Sequence, residues 1–326
     1  MAEALFSAVA GLSPERGLLP WLRGRSDNFA FEIVTKNNTI SFYVAIPIRL
    51  RSFIEQQIHA QYPHAEISEE PDYNIFKPDS HIVGAHLWFK FKSGFPFRTY
   101  KKIENDPLVS ILNPLSKIGA EEGAVIQYIV RPALTKWRGE ALHLIRELKE
   151  GQKFEAVAGG SGLGRTWQSW SKALSTGKKS ADGKNNQPEK HQLSQMDEEM
   201  IKNMEDKLSH GGLEITMRVV SSAANKETAQ LNLENTLNAF SQYNIYRYGN
   251  SFGAAVPKKA DLLISDSIFR SFDEKHRFVV STEEMASLWH LPTSMTETPH
   301  INWLGARKSP PPTNMPTEGI TLGRTV

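Results

Sequence analysis

The sequence predicts an α+β fold made of two modules in tandem. Three observations carry this reading: a strand–helix–strand unit over residues 39–70, a second over 213–252, and a stretch without sustained periodicity between them. In the first unit Ile40, Phe42, Val44 and Ile46 alternate with Ser41, Tyr43 and Ala45, the period of a strand with one strongly buried face. Pro47 stops that strand because proline has no N–H to continue the ladder. Leu50, Phe53, Ile54, Ile58 and Tyr62 then fall on one helical stripe, Pro63 ends the helix, and Ala65, Ile67 and Tyr73 suggest a second strand. In the second unit Leu213, Ile215, Met217 and Val219 alternate with Glu214, Thr216 and Arg218. Asn225 is the expected N-cap of a helix with Ala229, Leu233, Leu237 and Phe240 on its apolar stripe, and Ile245, Tyr246 and Tyr248 begin the next extended segment. Identity between the two units is slight, so the repeat is one of pattern.

Size agrees with two modules, since 326 residues exceed the ~250–300 at which a single core usually stops growing. With 40% hydrophobic and 23% charged residues, the composition is that of an ordinary globular chain, and a formal charge of +2 points to no particular partner. The absence of cysteine excludes disulfides, thiol catalysis and cysteine-bound zinc or iron–sulfur centres.

Taken in order, residues 1–26 form an N-terminal lead whose apolar run is too broken for a signal peptide. Leu18, Leu19, Trp21 and Leu22, followed by Arg23 and Arg25, could lie on a membrane surface, but docking on the first module is the expected arrangement. No stretch approaches the ~20 apolar residues of a membrane-spanning helix. The first module occupies 27–150. Phe29, Phe31 and Ile33 alternate before Lys36-Asn37-Asn38, so residues 28–46 read as a hairpin. Residues 81–92 give another strand, Asp106-Pro107 opens a helix with Leu108, Ile111, Leu112 and Leu115 inward, and 124–132 is a strong strand. That order matches a split βαβ, ferredoxin-like sandwich, with a peripheral helix carrying Trp137, Ala141, Leu144, Ile145 and Leu148.

Residues 151–192 read as a flexible basic linker, rich in Gly, Ser, Lys and Asn. The second module spans 193–280. It opens with a helix carrying Met196, Met200, Met204 and Leu208, continues through the second unit, and closes with a short helix (Leu262, Leu263, Ile268, Phe269) and the strand Phe278–Val280. Residues 281–326 hold a helix that starts at a capping box, Ser281 with Glu284, followed by an extended proline-rich tail.

Motifs with chemical content are few. Gly159 to Thr166 resembles a phosphate-binding loop with Arg165 in place of the lysine, but neither a central strand before it nor a buried helix after it is legible, so it reads as a glycine-rich loop. The ten histidines show no metal-binding spacing; His59, His64 and His86 read as solvated or hydrogen-bonded side chains. Glu69-Glu70 and Glu121-Glu122 are adjacent pairs in turns, so they do not face one another across a cleft. The sequence therefore assigns no catalytic, cofactor-binding or metal-binding residue, and the expectation is a non-enzymatic chain without a cofactor.

A resemblance adds to this reading. The runs at 40–67, 99–118, 125–137 and 281–292, with the PPPTNMP…LGRT exit, are similar to the N-terminal region of bacterial type IV secretion coupling-type ATPases of the FtsK/HerA group, whose long members come from small-genome candidate-phylum bacteria. The similarity covers roughly residues 17–326, and its motifs are structural. In such proteins the exit leads into the ATPase; this sequence ends at Val326 without Walker A, Walker B or an arginine finger, so no functional residue carries over. The resemblance implies an assembly module beside a ring-forming DNA-translocating motor, at the cytoplasmic face of the inner membrane through its partners. Those partners would be the ATPase domain or subunit, further copies of the chain, or DNA. The alternative is a single-stranded nucleic-acid-binding module, using Tyr43, Trp88, Tyr128, Tyr246 and Tyr248 on sheet surfaces, Trp167 and Trp170 in the linker, and the linker bases Arg165, Lys172, Lys178, Lys179, Lys184 and Lys190.

Overall fold

The computed structural model describes residues 1–17, 24–159, 193–257, 260–293, 296 and 298–301. The hairpin expected at 28–46 forms. Strands β1 (Phe29–Lys36) and β2 (Thr39–Ala45) pair antiparallel from Ala30↔Ala45 to Lys36↔Thr39. Asn37 and Asn38 turn the chain at φ 51° and 61°, left-handed values that asparagine tolerates better than most residues. Pro47 follows, and helix α2 (Arg51–Gln61) buries Ile54 and Ile58. No strand forms at 65–73: this segment, interrupted by Pro71 and carrying Glu66, Glu69 and Glu70, runs as irregular chain.

That missing strand changes the topology. Strand β3 (His81–Phe89) has no neighbour from its own half and pairs instead with β5 (Gly212–Ala223) and β6 (Phe252–Ala255). Strand β4 (Gly123–Pro132) joins β1 to β5 along its full length. The free edge of β5 is shared, residues 217–223 pairing with β3 and 212–215 with β7 (Phe278–Ser281). The result is one seven-stranded sheet in the order β2-β1-β4-β5-β3-β6, with β7 beside β5 and every pairing antiparallel. The α+β class holds; in place of two ferredoxin-like sheets, the strands of both halves interleave in a single sheet. Interleaving makes β5 central, and all twelve of its residues are buried. The alternation that read as one buried and one solvated face is an alternation between two buried faces.

One face carries the main core. Phe31, Ile33, Ile126, Tyr128, Ile215, Met217, Leu87 and Phe89 point into it. It is covered by helices α1 (Ala2–Ala10), α2, α3 (Pro107–Leu115), α7 (Lys226–Asn238) and α9 (Thr282–Leu288). The start of the N-terminal lead is thus part of the core: Leu5, Phe6 and Val9 are fully buried, and α1 packs on α9 and α2, while Leu18, Leu19, Trp21, Leu22 and Arg23 lie outside the described residues. Trp289, just after α9, is also fully buried. It meets Phe31 at 5.0 Å and Phe6 and Phe42 at 6.1 Å, all edge-to-face. Helix α3 opens at Asp106-Pro107 as expected; Asp106 is its cap, accepting from the Leu108 N–H, with Pro107 at the first helical position.

Helices α4 (Lys136–Lys149), α5 (Phe154–Ala158) and α6 (Gln195–Ser209) build a second cluster around Phe95. The described start of the expected linker therefore packs, with Phe154, Val157 and Ala158 buried. Of the methionine stripe, Met200 and Met204 are buried and Met196 is exposed. Lys207 of α6 pairs with Glu284 at 2.8 Å, both side chains 2% exposed. Glu284 completes the expected capping box by accepting from the Ser281 N–H, and its other oxygen accepts from Phe97 N–H.

The chain around 245–248 is irregular, and β6 begins only at Phe252. Helix α8 (Asp261–Ile268) turns only Leu263 of its expected apolar set inward, onto Gly84, where a Cβ would clash with the leucine. At the other end of the sheet, Ile301 bridges Ile40 of β2 in parallel, with Ile40 N–H donating to His300 O at 2.7 Å. The glycine-rich segment from 160, Trp167, Trp170, the linker bases and the proline-rich tail beyond 301 lie outside the described residues. No helix among the described residues is long and apolar enough to cross a membrane.

Candidate functional site

The second face of the sheet is polar where it is most deeply buried. Cross-strand partners share a face, so register alone assembles a row over five strands. Tyr43 faces Glu32, Glu32 faces Gln127, Gln127 faces Arg218, and Arg218 faces His86. Glu32, Gln127 and Arg218 are fully buried, and His86 is 8% exposed. The cover is α8 and the loop that follows it, residues 269–277, which together form a clasp over the row.

The clasp is tied to the sheet by charge. Arg270, at φ 50°, turns back so that its Nε and Nη2 donate to the two oxygens of Glu32 at 2.9 and 3.2 Å. It also reaches Asp72 at 2.8 Å. Gln127 Nε2 donates to Glu32 at 2.6 Å and to the Ser267 carbonyl of α8 at 3.0 Å. Farther along the strands Arg131 and Glu214, cross-strand partners, pair at 2.8 Å. Glu274 of the loop pairs with Arg131 at 2.8 Å, and Arg277 with Glu214 at 3.1 Å. The guanidinium of Arg131 stacks 3.7 Å over the Phe272 ring.

At the β3 end of the row the clasp delivers two titratable groups to His86. The His86 and His276 rings stack at 4.5 Å, 12° from parallel. Asp273 Oδ2 lies 2.5 Å from His276 Nδ1 and 3.7 Å from His86 Nδ1. Burial lowers the His86 pKa, helped by the charges of His276 and Arg218 and opposed by Asp273 and Asp266. Burial also pushes the Asp273 carboxyl up, but hydrogen bonds from His276 and the Lys275 N–H, with the charges of both histidines, hold it below the ordinary carboxylate value. Arg218 is itself lowered by burial, against the attraction of Asp266, Asp273 and Glu32. Its Nη2 donates to the Ser271 carbonyl.

Several polar atoms along the row find no hydrogen-bond partner among the described residues: His86 Nδ1, Arg218 Nε and Nη1, Gln127 Oε1 and Thr216 Oγ1. Buried polar atoms are rarely left this way without water or a ligand to satisfy them. A second group, Glu3, His210 and Glu283, also gathers donor atoms, but it is already engaged. Glu283 accepts from Thr99 and Lys101 at 2.6 Å each, and Glu3 from Tyr100 at 2.9 Å.

The sequence marks His86 only as a solvated or hydrogen-bonded side chain and singles out neither Asp273 nor His276. The available signal was a polar residue in the outward phase of each of β1, β4, β5 and β3, whose alignment appears only once the register is known. Of the sheet aromatics named for nucleic acid, Tyr128 is fully buried in the apolar core, and Tyr246 and Tyr248 are not on a strand. Tyr43 packs on Tyr73 at 5.0 Å, and Trp88 lies 6.1 Å from His276. His59 and His64 are exposed and stand apart from the row.

A family model described as a domain of unknown function, DUF8128, matches residues 2–304. The chain belongs to the DUF8128 family. The match takes in the whole sheet, both of its covers and the Ile301 bridge, so the clasp is part of the DUF8128 unit. No curated protein and no solved structure matches the chain.

Proposed function

We propose that this DUF8128 chain is a non-catalytic assembly module of a type IV secretion-like, DNA-translocating ATPase of the FtsK/HerA group, acting in contacts between subunits or with the channel. The resemblance of its strand and helix runs to the N-terminal regions of those ATPases suggests the setting. The structural observation that supports a contact role is the outer side of the clasp. Leu262 and Phe269 lie seven residues apart on α8 and its C-cap, 78% and 77% exposed, with Ile268 beside them at 46%. Apolar groups grouped this way on a surface segment mark interaction sites more often than chance exposure does. The ion pairs beneath the clasp fix that surface in place, which lowers the cost of ordering it on binding.

The boundary fits the same reading. The family match stops at residue 304, and the proline-rich exit follows it, as a folded unit followed by a connector would. The module would work at the cytoplasmic face of the inner membrane through its partners.

The test joins sequence context to biochemistry. The reading frame continuous with or following residue 326 is expected to encode Walker A and Walker B motifs. That ATPase, mixed with the purified chain, should co-elute with it by size-exclusion chromatography with light scattering. The double variant Leu262→Glu, Phe269→Glu should abolish co-elution while keeping the wild-type melting temperature. A neighbouring frame without an ATPase, or co-elution unaffected by the double variant, would count against the proposal.

A further inference from the structure

We infer that His86, Asp273 and His276 form a binding site for a late first-row divalent cation, with Zn²⁺ as its natural probe. The site stands apart from the assembly reading, which rests on the opposite side of the clasp. One donor atom from each residue lies within 4.8 Å of the other two. Two imidazole nitrogens and one carboxylate suit zinc and its neighbours better than Mg²⁺ or Ca²⁺, which prefer oxygen ligands throughout. Three protein ligands would leave a fourth position for solvent or a substrate group.

Three features separate this cluster from a chance meeting of polar side chains. First, His86 is rooted in a central strand and more than nine-tenths buried, yet its Nδ1 has no hydrogen-bond partner among the described residues. A buried ring nitrogen of that kind keeps a lone pair available in the neutral form that metals require. Second, the other two ligands come from a loop anchored on both sides of them, by Arg270 to Glu32 and by Glu274 and Arg277 to Arg131 and Glu214. Third, the comparable group of Glu3, His210 and Glu283 has its carboxylates occupied by Lys101, Thr99 and Tyr100, whereas among the described residues Asp273 is shared between the loop's own groups and His86.

The charges facing the site are Arg218 from β5, Asp266 from α8, and Asp273 with His276 from the loop. Arg218 opposes a cation, and the two aspartates offset it. The stacked rings also say how binding would proceed. Imidazole lone pairs lie in the ring plane, so near-parallel rings cannot both aim at one ion. His276, a quarter exposed on the loop, must turn out of the stack while His86 stays fixed.

The experiment is calorimetric titration of the untagged full chain with Zn²⁺. One ion per chain is expected, with excess Mg²⁺ failing to displace it. His276→Ala and Asp273→Asn should each weaken binding at least about tenfold, and His210→Ala should leave it unchanged. Nitrogen NMR of the imidazoles should show His86 and His276 signals shifting with Zn²⁺ while the other histidines stay put. Because His276 lies in the loop, its variant should fold even if His86→Ala does not. Absence of a stoichiometric site, equal affinity in His276→Ala, or loss in His210→Ala would overturn the assignment.

Discussion

The two faces of this sheet are buried to similar depth by different physics. On one face Phe31, Tyr128 and Met217 meet five helices, and stabilisation comes from apolar area removed from water. On the other Glu32, Gln127, Arg218 and His86 lie under the clasp, and desolvated charge must be offset by pairing. An apolar face tolerates small shifts in its cover because dispersion is non-directional. A polar face does not, since each hydrogen bond has a required geometry. The difference teaches that the clasp is held for position more than for stability, as a segment bearing a site would be.

Substitutions can break or sharpen that contrast. Trp289→Ala, in the apolar core, should cost about 3–5 kcal/mol through lost packing and the cavity left behind. Urea unfolding with an unchanged m-value would measure it. Arg270→Ala should cost about 2–3 kcal/mol, because Glu32 stays fully buried and loses its two-point guanidinium partner, keeping only the neutral hydrogen bonds of Gln127 and Tyr73 and the attraction of Arg218 among the described residues. It should also raise amide exchange across residues 261–277 while leaving α1 and α9 protected, which hydrogen-exchange mass spectrometry can separate.

Asp106 gives a smaller effect with a pH signature. Burial alone would raise its carboxyl pKa, but the hydrogen bond and charge of His290, with the Leu108 N–H and Thr296 hydroxyl, hold it below the ordinary value of 3.8. A carboxyl lowered in the folded state adds stability above that ordinary value and loses it as pH falls through the folded one. Asp106→Asn should therefore cost about 1 kcal/mol at pH 7 and flatten the acid limb of stability below about pH 4. Thermal melts from pH 3 to 7 would show it. Smallest of all, Arg218→Met should change stability by no more than about 1 kcal/mol in either direction, since a desolvated guanidinium with two unpaired nitrogens is replaced by a side chain of similar length. A large loss there would show that the polar row is stabilising in its own right and erase the contrast.

Local features were legible because their causes are local. The Asn37-Asn38 turn, the helix start at Asp106-Pro107, the Asn225 cap and the Ser281–Glu284 box each depend on residues within a few positions, and each appears as read. What failed depended on distant pairing. Ala65, Ile67 and Tyr73 are strand-like in type, but their segment, broken by Pro71 and carrying Glu66, Glu69 and Glu70, pairs with no strand among the described residues. The short helix with Leu262, Leu263, Ile268 and Phe269 forms, but its spacing does not say which of them faces the sheet: Leu263 packs on Gly84, and the other three are exposed. The histidine cluster was invisible for the same reason. His86 and His276 sit on opposite sides of the interleaved topology, and nothing in their spacing says that a loop will fold down onto β3.

The placement of β3 between β5 and β6 has a further consequence during synthesis. The ribosome releases β3 long before either of its neighbours exists, so His81 must wait for Ala223. Until then the nascent chain carries unpaired strand edges, the kind of surface that chaperones hold and that aggregates when they do not. A backbone nick between β4 and β5 should then yield two pieces that stay together, zipped along the ladder from Gly123↔Ser222 to Pro132↔Leu213, and that fail to refold when separated.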